Sequence, residues 1–163
     1  MKKTFIYIAC VVLISSCNNL SDDFFEFLFN SKGITLDRDC SNSPSVFSEG
    51  RSFEIYSMPE ENTNLIIRNI LDKSKFVKSD KYPRYEIPEW GATPVSTKDS
   101  VYSFIHSEMT NEENACFNEN DLTEILEQKG NYYTFLNDDL GRAKLFIWET
   151  KNHKLFLLTS YEL

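Results

Sequence analysis

The chain reads as a single α+β domain: an antiparallel β-sheet ending in a C-terminal three-strand meander, packed by about three helices, after a cleaved N-terminal signal helix. Three observations carry this expectation. Residues 132–160 hold three short runs rich in aromatic and aliphatic residues, separated by polar turns, the pattern of strands joined by hairpins. Stretches within 59–71, 97–109 and 120–130 carry apolar residues at helical spacing. Residues 1–16 are laid out as a leader. The expected organisation is a signal peptide at 1–16, a tether at 17–21 and one domain at 22–163, a length that suits one core.

The leader opens on Lys2 and Lys3 and continues with the apolar run Thr4 to Ile14. That run falls in the range of about 7–15 residues for a signal core and short of the ~20 needed to span a bilayer. Ser15, Ser16 and Cys17 follow. The quartet Ile14-Ser15-Ser16-Cys17 resembles the bacterial lipobox, although lipoproteins favour Leu where Ile14 stands. The resemblance implies cleavage before Cys17 and lipidation of its thiol, so that the protein is bound to the membrane through Cys17. Two or more acyl chains suffice for stable anchoring, where one does not. Asn18 rather than Asp follows the cysteine. For lipoproteins of diderm cells this implies the outer membrane, on a face that the sequence leaves open.

The domain begins with Asp22-Asp23-Phe24-Phe25-Glu26-Phe27-Leu28-Phe29. Ser21 can cap a helix here and Lys32-Gly33 can end it, although the aromatic density also suits a strand. Residues 37–51, rich in Ser, Asp and Asn, read as a loop. Alternation from Phe53 to Met58 predicts a strand. Pro59-Glu60-Glu61 then opens a helix whose apolar residues are Leu65, Ile66, Ile67, Ile70 and Leu71. Periodicity fades over 73–95, where Pro83, Pro88 and Pro94 forbid a long helix. Short strands near Phe76-Val77 and Tyr85-Ile87 fit this stretch. A helix over 97–109 buries Val101, Tyr102, Phe104, Ile105 and Met109. A polar loop around Cys116 leads to a further helix capped by Asn120 or Asp121, with Leu122, Ile125 and Leu126 inward and Lys129-Gly130 at its end.

The tail supplies strands at 132–136, 143–149 and 154–160, with turns at 138–142 and 151–153. The middle strand is apolar on both faces, through Leu145 and Ile147 on one and Phe146 and Trp148 on the other. It should therefore lie centrally and be covered on both sides. The meander as a whole is expected to carry the earlier helices on one face. The strand–helix front, the Trp90–Pro94 segment before a helix and the closing Tyr-Tyr meander resemble small bacterial α+β lipoproteins over residues 50–161. That likeness implies a fold and no activity.

The net charge is −8, and removal of Lys2 and Lys3 with the leader makes it more negative by two. Such a domain has no electrostatic reason to bind nucleic acid or an anionic lipid surface; a basic protein partner is one reading of the acidity, and plain solubility is the other. Beyond Cys10 in the leader and Cys17, the cysteines are Cys40 and Cys116. In an oxidising compartment they can form a disulfide, and two buried thiols are the alternative.

Catalytic and metal-binding motifs are missing from the sequence. His106 and His153 belong to no zinc pattern, and the chain has no P-loop, GxSxG or GxGxxG. No cofactor or metal is expected. Acidic pairs such as Glu60-Glu61, Glu112-Glu113 and Asp138-Asp139 are what chance supplies in an acidic chain, so a carboxylate hydrolase is the weakest reading. The most site-like stretch holds Tyr82, Arg84, Tyr85 and Trp90, residue types that anchor interfaces. The plain alternative is that these rings cover one end of the sheet. The functional expectation is an anchored, non-catalytic protein-binding or protective module of the immunity or inhibitor kind. A structural lipoprotein of envelope assembly is the alternative.

Overall fold

Antiparallel pairing dominates the molecule. The structure, a computed structural model, describes residues 20–42, 51–72, 82–83, 85, 89–96, 98–109, 116–137 and 142–160. The leader with Cys17, the basic run Lys73–Lys81, Arg84, the strand expected at 76–77, most of that expected at 85–87 and the turn at 138–141 lie outside these residues. Among the described residues, six strands, β1 (Asp37–Asn42), β2 (Arg51–Ser57), β3 (Gly91–Ala92), β4 (Tyr132–Asn137), β5 (Ala143–Glu149) and β6 (Lys154–Ser160), form one sheet in the order β1-β2-β6-β5-β4-β3. Every neighbouring pair is antiparallel. The expected meander is β4-β5-β6, and β2 extends it by pairing with β6 along its whole length.

Among the described residues, four helices complete the α+β domain: α1 (Asp22–Leu28), α2 (Glu60–Leu71), α3 (Ser100–Met109) and α4 (Glu119–Glu127). They cover both faces of the sheet: the middle strand is covered on both sides as expected, but the helices, expected on one face, lie on both. Successive strand residues point to opposite faces, and β5 and β6 are apolar on both. Phe146, Trp148, Leu155 and Leu157 pack with α1 and α2 through Phe24, Phe25, Leu28, Ile66 and Ile70. Leu145, Ile147, Phe156 and Leu158 pack with α3 and α4 through Val101, Ile105, Leu122, Ile125 and Leu126. A single helical layer would leave the other of these sets in water, at about 1.5–3 kcal/mol per large side chain.

Local chemistry sets the element ends. Helix α1 stops at Leu28, short of the expected Lys32-Gly33. Asn30 takes a φ of 47°, its N–H bonds Phe27 O at 3.2 Å, and Ser31 N–H bonds Glu26 O at 3.0 Å. These two bonds form a Schellman closure, with Asn in the left-handed position that glycine usually takes. Asp99 caps α3 by accepting from Val101 N–H at 3.1 Å. Helix α4 starts earlier than expected, with Asn118 as its cap. Asn118 Oδ1 accepts from Asp121 N–H at 3.0 Å and Asp121 Oδ2 from Asn118 N–H at 2.8 Å, a reciprocal capping box.

Residues 37–42, expected in a loop, instead form the edge strand β1. On α2, Leu65 and Leu71 are exposed, whereas Thr63 and Asn69 turn inward.

Candidate functional site

A cleft of about 680 Å³ opens between α4 and the β5–β6 turn, on the sheet face that carries α3 and α4. Its floor is Ile55 from β2, Phe156 from β6, Ile125 from α4 and Phe117 just ahead of α4. Phe117 and Phe156 meet edge to face with centroids 5.5 Å apart. Asp121, Glu124 and Gln128 form the α4 wall, and Glu149, Lys151, Asn152 and Lys154 form the wall of the turn. Cys116 lies at one corner.

The two walls differ in charge because of what each element needs locally. Asp121 lies in the first turn of α4, where the positive end of the helix dipole favours a carboxylate and the capping box employs it. No lysine or arginine occurs within α4. Across the cleft, Glu149 faces Lys154 directly in the β5–β6 register, and Glu149 Oε1 accepts from Asn152 Nδ2 at 2.5 Å. Glu149 is thus engaged within the turn, and the exposed Lys151 leaves that wall basic at its rim.

Cys40 and Cys116 form a disulfide, with Cα atoms 5.7 Å apart. It ties the edge strand β1 to the segment leading into α4, and so holds Phe117 and one corner of the cleft in place. Of the alternatives open in the sequence, the paired state is the one adopted.

The aromatic candidates lie elsewhere and serve α1. Trp90 is only 8% exposed, stacks on Phe29 at 5.4 Å and donates from Nε1 to Leu28 O at 3.2 Å. Tyr82 and Tyr85 meet Phe24 edge to face at 5.4 and 5.8 Å. Tyr82 also lies 5.2 Å from Phe27, and its hydroxyl is 3.3 Å from Ser21 Oγ. These three rings clamp the first helix of the domain. Arg84 is outside the described residues.

One buried polar pair escaped sequence reasoning. Glu54 and Tyr56 both project from β2 toward the α1 and α2 side, and both are buried. The Tyr56 hydroxyl donates to Glu54 Oε2. Burial pushes the Tyr56 phenol well above its usual value, and the bond to Glu54 and its charge add to this. Arg38 and the backbone of Leu20 oppose the shift. Alternation within β2 marks Glu54 as polar but does not say that its face is covered.

Among the described residues no group of three or more metal-ligating side chains comes together, and no helix is long and apolar enough to cross a membrane. Comparison of the chain with protein-family models, with curated proteins and with solved structures finds no match.

Proposed function

We propose that the protein is a lipoprotein held to the cell envelope through Cys17, at the outer membrane in a diderm cell, and that it acts without catalysis as a protein-binding or protective module. The observation that carries this reading is the placement of α1 relative to the cleft. Helix α1 starts at Asp22, so the chain from Cys17 reaches at most roughly 18 Å before it enters the fold. Phe24, Phe25 and Leu28 then bury it in the face opposite the cleft. An anchor at Cys17 keeps the α1 side near the bilayer and leaves the α4 side open to a partner.

The cleft favours binding over hydrolysis. Of its carboxylates, Asp121 caps α4 and Glu149 secures the turn. A hydrolase built on paired carboxylates needs both members available to substrate.

Replacing Cys17 tests the anchor. In the native host, the protein should partition with membranes and carry acyl chains on a mature N-terminus at residue 17. Cys17→Ala should abolish both, with the folded domain unchanged by circular dichroism. Native protein released without lipid would overturn the reading.

A further inference from the structure

We propose that the cleft between α4 and the β5–β6 turn docks a segment of a partner protein that lays an apolar side chain on Phe117 and Phe156 and sets a lysine or arginine against Glu124. This deepens the binding-module reading and rests on it.

The first ground is where the core is breached. On the α3 and α4 side, Val101, Ile105, Leu122, Leu126, Leu145, Ile147 and Leu158 are all sealed at 0% exposure. Ile55, Phe117, Ile125 and Phe156 retain 5–7%, and all four line the cleft. Solvent therefore touches the edge of this core at the apolar strip of the cleft, and also at Met109, which is 8% exposed and lies outside it. A side chain laid on the strip gains contact with two aromatic edges and two aliphatic residues.

The second ground is charge. Helix α4 carries Glu119, Asp121, Glu124 and Glu127 and no base, and Asp121 and Glu124 stand over the apolar strip. A cationic side chain beside the apolar one meets complementary charge there. The opposite wall limits where that cation can sit, because Lys151 repels it from the turn. A second copy of this chain, at net charge −8, is poorly matched to the acidic wall.

The third ground is size and access. A space of about 680 Å³ holds several side chains. Two charged walls over an apolar floor suit a polypeptide better than a small apolar ligand, which favours a mostly apolar lining. The clamped α1 lies on the other face and does not obstruct it.

The test uses the full-length protein extracted in non-ionic detergent and a displayed library of random short peptides. Enriched peptides should pair lysine or arginine with leucine or phenylalanine, and should slow hydrogen exchange in residues 116–128 and 149–156. Glu124→Lys should weaken a selected peptide by about tenfold, and Lys151→Glu should tighten it. These opposite signs cannot come from misfolding. Glu61→Lys on α2 should leave binding unchanged.

Peptides without a cationic residue, protection confined to α1 and α2, or equal affinity for native protein and Glu124→Lys would each overturn the proposal. So would protection of the cleft that appears without peptide as protein concentration rises, since the occupant would then be a second copy. A protein that lacks lipid but binds the peptides removes the anchor and leaves the cleft. A lipidated protein that enriches no cationic peptide removes the cleft alone.

Discussion

Gly91 is required by its neighbour across the sheet. It pairs with Tyr133 in β3–β4, and a Cβ built at Gly91 would lie 2.6 Å from Tyr133 Cε1. A shift of the ring to make room would disturb the bond that the Tyr133 hydroxyl donates to Asp99 Oδ2 at 3.3 Å. Gly91→Ala should therefore destabilise the fold by about 1–3 kcal/mol, visible as a lower thermal midpoint. The tyrosines also predict a pH response. Burial raises the phenols of Tyr56, Tyr133 and Tyr102, with acidic neighbours adding to each. A raised folded value means that the native state keeps protons that the unfolded state releases. The stability contributed is fully present below the unfolded phenol value of about 10 and is lost as pH rises through the folded values. An alkaline titration followed by phenolate absorbance should show these tyrosines lagging the rest until the protein unfolds. Glu54→Gln, which keeps an acceptor for Tyr56 and removes the charge, should bring the Tyr56 phenol down. None of this was legible in the chain. Gly91 lay in an aperiodic stretch, and its reason for being glycine is a residue in a distant strand.

Helices α2 and α4 show how tertiary partners adjust local signals. The apolar periodicity of α2 correctly marks its inward residues Ile66 and Ile70. It also includes Leu71, which is 61% exposed, because polar residues hold the inward positions beside it. Asn69 donates to Asn30 O at 3.2 Å, and Thr63 Oγ1 lies 2.7 Å from His153 Nδ1. These bonds lock α2 to the end of α1 and to the β5–β6 turn. In α4 the cap falls on Asn118, because the reciprocal bond with Asp121 satisfies two backbone donors and a start at Asn120 would break it. Asn118→Ala should cost about 1 kcal/mol, measured by denaturant unfolding, and should loosen the α4 wall of the cleft. Strand β1 was hidden for a different reason. It is a polar edge, with Asp37, Arg38 and Asp39 exposed and a register shift between Arg38 and Cys40. Such edges discourage pairing with other chains and lack the apolar alternation by which strands are recognised.

At the scale of the whole molecule, the Cys40–Cys116 disulfide closes a long covalent loop, with a sequence separation of 76. In the chain-entropy account a loop of that length is worth about 4.5 kcal/mol. Cys40→Ser with Cys116→Ser should lower the denaturant midpoint accordingly, and reductant should shift the native protein to the same value. The amino-acid sequence was sufficient for the α+β class, the C-terminal meander and the central place of β5, because these follow from short-range periodicity and from strands apolar on both faces. The tertiary structure decided that helices cover both faces, that β2 joins β6, that Tyr82, Tyr85 and Trp90 clamp α1, and that the cleft opens beside α4. Each of these turns on which distant residues share one face of the sheet, and that is set by strand pairing and close packing rather than by the spacing of residues along the chain.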